Sequence, residues 1–438
     1  MASEDPVQKT VLPNGVRVLT QRAPGSLSAA AGVFLLSGSR HETPVNAGVS
    51  HFLEHVIFKG TRQRDVEEIA QSLESVGGSL DAYTTREHTC VSSYTLSEHL
   101  PLAMDVLGDL VSGPLLRRAD VDMEREVILE EIKSYEDTPD ELVHDYLAEA
   151  IWPEHPMGAP VLGTGESLAA IDERVLSGHH RSHYVGRRAV VAAAGGVDHD
   201  AVVDLVERHL SLEAGAPPDP TTPPSSYEPR VDRRVKALAQ EHVCLGSPAI
   251  PFRHPDRYAL ILLVTVLGRG MSSRLFQRVR EREGLAYTIF SYTELAEDTG
   301  LFGTYLAVAE PRTAEAIAVV LEELERIRRV PVGEDELRRS KERLKGNLIL
   351  DLERNTNRMS RLAMSEVYSS RFVPIQEIAA AVDALTAEDL LRAAEIVLPP
   401  EKLSVVLHGP YEGAIPLDGT RLGPRGARRG IDSSVPFH

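Results

Sequence analysis

His51 and His55 stand four residues apart in His51-Phe52-Leu53-Glu54-His55, with Glu54 directly before the second histidine. On a helix, residues four apart project from one face on successive turns. Two imidazoles placed this way can reach a single zinc ion at about 2 Å each. Glu54 lies beside them and can take a proton from a water held near that ion. The order is the inverted one, His-x-x-Glu-His. A catalytic zinc also needs a third protein ligand and one open position.

Residues 119–136 read as a helix with candidate carboxylates at Glu124, Glu126, Glu130 and Glu131. Glu124 and Glu131 are seven apart and share a face, while Glu130 is turned about 100° from Glu131. Val127, Ile128 and Ile132 lie near the Glu124/Glu131 stripe, so that stripe is expected to face the core. A carboxylate facing a core needs a partner, and a metal is one. Glu126, Glu130 and Glu136 read as a solvated face. His88 and the pair His179-His180 have no ligand companion at useful spacing, so local hydrogen bonding is expected of them.

The elements that carry these residues follow from pattern. Short β-prone runs at 9–12 and 16–19 flank Pro13-Asn14-Gly15, a hairpin signal. Residues 29–36 read as a buried strand, 47–58 and 65–76 as helices, and 79–96 as a long strand or strand pair. Helices are expected at 98–111, 119–136 and 139–151, a strand at 190–194, and a helix at 199–210. Residues 212–233 are rich in Pro, Ser and Thr, the composition of a linker.

The two halves look alike. Gly77-Gly78 to Tyr83 matches Glu283 to Tyr287, and Leu147-Ala148-Glu149-Ala150 matches Met364-Ser365-Glu366-Val367. The expected fold is α+β: two homologous domains, each a mixed β-sheet with helices on one face, forming a clamshell around a cavity. The expected boundaries are 1–211 for the zinc-binding domain, 212–233 for the linker, 234–412 for a metal-free domain and 413–438 for a flexible tail. Overlaying the repeats puts Ile261, Val264 and Thr265 at the places of His51, Glu54 and His55. None of them suits zinc, so one Zn2+ per chain is expected.

Bulk properties exclude several classes. The chain has 438 residues and a formal charge of −18, which argues against nucleic acid as a partner. No uncharged apolar run approaches the ~20 residues of a membrane span, and the acidic N-terminus does not read as a secretory signal. A cytoplasmic protein without a membrane partner is expected. Cys90 and Cys244 are far apart, which excludes a disulfide framework and a cysteine zinc site.

Taken together, the motifs resemble the pitrilysin/insulinase metallopeptidases, also called inverzincins. The likeness covers Leu12 to Val16, His51 to Thr61 (HFLEHVIFKGT), Gly77 to Thr89, Arg125 to Asp140, Gly270 to Phe276 and Gly284 to Tyr287. In that family the third ligand follows the motif by about 76 residues, which falls on Glu131. The two-domain length is most similar to the mitochondrial-processing-peptidase-like branch. The resemblance implies His51, His55 and Glu131 as zinc ligands, Glu54 as general base, and Glu124 as a glutamate that orients a ligand or the water. It implies an extended peptide substrate added as a strand at Asp81 and Ala82, with Asp81 standing where the family usually has Asn. It also implies that Arg280 and Tyr287 present donors to the substrate carbonyl. Relatives of this size pair, so a homodimer or a heterodimer with an inactive homologue is expected.

Overall fold

Gly15 takes a φ of 92°, which turns the first hairpin. On either side of it β1 (Gln8–Val11) pairs antiparallel with β2 (Arg17–Arg22), with Val11 opposite Arg17. The computed structural model describes residues 6–218, 222–224, 227–369 and 371–417. The strands β3 (Ser28–Leu35), β4 (Ser79–Thr84), β5 (Thr89–Leu96) and β6 (Ala189–Gly195) complete a sheet ordered β1-β2-β6-β3-β5-β4. The stretch at 79–96 is therefore a strand pair. Only β2 and β6 run parallel.

The second sheet is built from β7 (Val231–Val235), β8 (Glu241–Ala249), β9 (Ala286–Leu295), β10 (Gly300–Val308) and β11 (Ser404–Gly409). Its order is β7-β11-β8-β10-β9, and only β7 and β11 run parallel. Without β1, the first sheet has the same neighbours in the same directions. The internal repeat is thus a repeat of topology.

Each sheet belongs to its own compact unit, and the units are discontinuous in sequence. The first gathers the chain up to Ser134, Ala159–Pro220 and Asn347–Ile378. The second takes Tyr135–Gly158, Thr221–Gly346 and the chain from Ala379 on. The expected division into 1–211 and 234–412 follows the repeat but not the packing, because each half lends one helix to the other sheet. The helix Asn355–Ser369 packs on the first sheet, and Pro139–Ile151 packs on the second.

Strand alternation explains the exchange. In β3, Ala29, Ala31, Val33 and Leu35 face one core, with Val18, Val91 and Val191. Ala30 and Phe34 face the other way, where Met359, Leu362 and Ala363 of the exchanged helix cover them. Both faces of the strand are buried, so it reads as a continuous apolar run. In the second unit, Val143, Leu147 and Ile151 cover Cys244, Tyr305 and Val406 in the same manner.

The described residues between 212 and 230 are neither helix nor strand, and Leu212 at their start packs in the first core. Of the expected tail, residues 418–438 lie outside the described residues. Among the described residues no helix is long and apolar enough to cross a membrane.

Candidate active site

The motif helix runs Val49–Ile57 and buries Val49, Phe52, Leu53, Val56 and Ile57. That apolar stripe fixes its rotation and leaves His51, Glu54 and His55 on the remaining face. The rings of His51 and His55 meet edge to face with centroids 4.6 Å apart. The second helix, Arg118–Glu136, buries Val121, Glu124 and Ile128. Of the expected inward stripe, Glu124 is buried, but the Glu131 side chain is 43% exposed and Val127 is exposed, so only part of the stripe faces the core.

Glu131 Oε2 lies 3.3 Å from His55 Nε2 and 3.8 Å from His51 Nε2. Ligand atoms of all three residues lie within 4.8 Å of one another. Two atoms each about 2 Å from one ion are about 3.3 Å apart at the tetrahedral angle. Two imidazoles and one carboxylate are the donor set of a catalytic zinc that keeps an open position. The buried Nδ1 of His51 makes no hydrogen bond, so packing rather than a polar partner holds that ring. Among the described residues this is the one group of three or more ligand side chains close enough to share an ion.

The surroundings shift the two histidines in opposite directions. Burial, then the neighbouring His55, holds His51 well below the ordinary imidazole range, against the pull of Glu131. The bond with His55 holds Glu131 low, with burial opposing it and the charges of both histidines helping. Burial opposes a charge on His55, but its bonds to Glu131 and Glu124 outweigh burial and raise it. Carboxylates that favour a proton at that place also favour a metal cation there. Burial raises Glu54, and a hydrogen bond from Thr84 works against it.

Three contacts around the set were not foreseen. Thr84 Oγ1 donates to Glu54 Oε2 at 2.5 Å. Lys59 Nζ pairs at 2.6 Å with Glu124 Oε1; the other oxygen of Glu124, which was expected to orient a ligand or the water, meets His55 Nδ1 at 3.2 Å. Glu42 accepts from two backbone N–H groups at the start of the motif helix. Lys59 sits four residues after His55, so helical spacing could have placed it on the same side. Thr84 alternates with Ala82 and Leu80 and could have been placed on their face. Nothing in the sequence marks Glu42.

Among the described residues β4 is the last strand of its sheet, bonded to β5 alone. Leu80 and Ala82 pack against the core that carries the motif helix. Asp81 alternates with them, so its side chain stands on the opposite face, exposed with Ser79 and Tyr83. Arg280 and Tyr287 belong to the second unit. There the Arg280 guanidinium lies 4.4 Å from the Tyr287 ring centroid and 4.8 Å from that of Phe276. The Tyr287 side is open, with the residue 73 % exposed.

His88, His179 and His180 have the local partners expected of them. His88 Nδ1 meets Thr85 Oγ1 at 3.0 Å, His179 Nε2 meets Ser37 Oγ at 3.0 Å, and His180 Nε2 meets the Val111 carbonyl at 2.8 Å. Both cysteines are free and buried. Ile261, Val264 and Thr265 lie on the helix Arg257–Gly268, which carries no ligand side chain at those places.

A paired-histidine helix, a glutamate from a second helix and a repeated α+β unit are the marks of a zinc metallopeptidase with the inverted motif. Residues 17–165 match the family described as Insulinase (Peptidase family M16), and residues 170–344 match the Peptidase M16 inactive domain. A protein of Streptomyces coelicolor named as an uncharacterized zinc protease is 38% identical over 403 residues, covering 90% of this chain and 87% of that one. A mouse relative, mitochondrial-processing peptidase subunit beta, is 32% identical over 419 residues, covering 92% of this chain and 85% of that one. A protease structure from Helicobacter pylori superposes with a TM-score of 0.85 at 22% identity, covering 93% of this chain and 100% of that one, which shows the shared fold. The chain belongs to peptidase family M16, the insulinase family, and is a zinc-dependent peptidase of its mitochondrial-processing-peptidase-like branch.

Proposed function

We propose that this peptidase cleaves extended or unfolded peptides, with zinc held by His51, His55 and Glu131. The observation that carries the reading is the meeting of these three donors within 4.8 Å, beside a half-buried Glu54 that is bonded to the edge strand through Thr84. Zinc, when bound, supplies Lewis-acid polarisation of the scissile carbonyl and acidifies water. Glu54 takes the proton from the attacking water and returns it to the leaving amine. Glu124 orients His55 through Nδ1, which leaves Nε2 to face the metal.

The free edge of β4 suits the substrate backbone. An extended peptide can add there as a further strand, bonded by main-chain groups at Asp81 and Ala82. The Asp81 side chain faces away from Glu54, so its part is that of the backbone. Arg280 and Tyr287 hold together on the second unit, where Arg280 Nε also stands 3.8 Å from Glu281 Oε1, and their N–H and O–H groups are proposed donors to the substrate carbonyl. Burial of the peptide in a closed chamber is the remaining element, supported by the family resemblance. A paired assembly, homodimeric or with an inactive homologue, is proposed because the mouse relative is named as a subunit.

The test is cleavage of a panel of quenched peptides, with and without chelator and with Glu54→Gln. Cleavage by the wild type, lost on chelation and in the variant, is expected. Equal cleavage by wild type and variant would sink the assigned chemistry. Equal turnover of a tightly folded protein and of its unfolded form would sink the substrate class.

A further inference from the structure

The motif helix starts without a cap of its own. Gly48, at its N-cap, has a φ of 90° and no side chain to bond the first turn. The carboxylate that serves this end comes from outside the helix. Glu42 Oε2 accepts from Gly48 N at 2.6 Å, and Oε1 accepts from Ser50 N at 2.8 Å. Glu42 is buried, at 7% exposure, so water does not compete for these bonds. The chain just before the helix is fixed as well. Ser167 Oγ donates to Ala47 O at 2.7 Å, and Leu162 O backs so closely on Gly48 that a Cβ there would lie 2.7 Å from it.

The segment that supplies Glu42 also grips the turn after β4. Arg40 N donates to Arg86 O at 2.8 Å, and Arg40 Nη1 pairs with Glu87 Oε1 at 2.8 Å. Gly38 lies against the same turn, where a Cβ would be 2.2 Å from Thr85 O. Glu87 Oε2 in turn accepts from Tyr368 Oη at 2.6 Å. Residues 38–42 therefore touch the end of the free edge strand on one side and the start of the metal-binding helix on the other.

We propose that Glu42 is a positioning residue for peptide hydrolysis: its carboxylate sets the place of His51, Glu54 and His55 against the β4 edge. The helix has nine residues, and all three groups follow Glu42's contacts within two turns. A catalytic constellation tolerates errors of about 0.5 Å or 10–20°. A side-chain tip about 6 Å from the helix axis moves about 1 Å for a 10° rotation, and misplacement of that size can cost about 10²-fold in rate. Losing one of the two bonds releases this rotation without touching any group that meets the metal or substrate.

The inference rests on the zinc-site reading, and zinc binding by the wild type reports on that reading separately. The test uses the full chain with Glu42→Gln, which keeps the volume but turns an amide N–H toward a backbone donor. Val202→Ala, a fully buried change on the helix His199–His209, serves as a control chosen for loss of Tm. The expected result for Glu42→Gln is zinc affinity lowered about tenfold by chelator competition and kcat lowered about tenfold, with KM within about threefold. Val202→Ala should leave zinc affinity and kcat within about twofold. Should Glu42→Gln not fold, Glu42→Asp carries the same comparison, with a smaller loss expected. Zinc affinity and kcat within twofold of wild type in the folded variant, or changes matching those of Val202→Ala, would overturn the proposal.

Discussion

Lys59 Nζ stands 2.6 Å from Glu124 Oε1, and through Glu124 the lysine reaches the His55 ring. The Glu124 side chain is only 3% exposed, so little water stabilises its charge. A cation one turn past His55 compensates for that. The arrangement holds Glu124 still and keeps its second oxygen on His55 Nδ1. Lys59→Met should therefore lower zinc affinity about 10- to 100-fold, the range found when the partners of metal ligands are removed. Lys59→Arg should recover most of the loss. Chelator competition on folded protein checks this, and an unchanged affinity in Lys59→Met would show that Glu124 keeps its place unaided.

Thr84 links the proposed base to the proposed substrate edge. Its Oγ1 donates to Glu54 and lies 3.2 Å from Thr89 Oγ1. A hydrogen bond to a charged group contributes about 1.5–3 kcal/mol. Part of that is spent on orienting the carboxylate, so Thr84→Val should lower kcat about tenfold with little change in zinc affinity. Thr84→Ser keeps the hydroxyl and should return kcat to within about threefold. Parallel loss in both variants would point to packing of the edge strand in place of the hydroxyl.

Glu241 gives the second unit a pH dependence of its own. Burial pushes its carboxyl from 4.5 up to about 7, with Glu310 helping and the Tyr411 N–H and Arg233 opposing. Oε2 accepts from Tyr411 N at 2.8 Å, while Oε1 has no hydrogen-bond partner. An acid whose folded pKa is raised holds its proton to higher pH in the folded state than in the unfolded one. Stability from this group is therefore full below about pH 4.5, falls as pH rises to about 7, and then levels. Glu241→Gln removes that dependence. Its Tm should match wild type near pH 4.5 and exceed it at pH 8. A Tm difference that is the same at both pH values would rule out titration of Glu241 as the cause.

Much of this was legible in the sequence because local signals and packing agree. Asp65 and Glu68 form a reciprocal cap at the helix start, and Pro139 opens its helix at the first position, where no N–H is needed. His51, His55 and Glu131 converge because two apolar stripes dictate how two helices turn. What sequence did not show is non-local. Glu42 reaches the motif helix by a loop whose path depends on the β4–β5 turn. Lys59 gains its role only once Glu124 is known to be buried. The repeat pairs Leu147 with Met364, while the residues of the two exchanged helices that lie on a central-strand glycine are Leu147 and Met359.

Those two contacts yield the last expectation. Gly32 on β3 faces Met359, where a Cβ would lie 3.0 Å from Sδ, and Gly246 on β8 faces Leu147, where a Cβ would lie 2.8 Å from Cδ2. In each sheet a glycine makes room for a long side chain on a helix borrowed from the other half of the chain. Leu147 is fully buried and Met359 nearly so. Truncating either one leaves a cavity that close-packed neighbours fill only in part, at a cost of about 2–5 kcal/mol. The cost should fall on the sheet that receives the helix, not on the half that encodes it. Leu147→Ala should thus speed amide hydrogen exchange in β8, β10 and β11, and Met359→Ala in β3, β5 and β6. Faster exchange in the encoding half, with the receiving sheet unchanged, would mean that these helices stabilise something other than the sheets they cover.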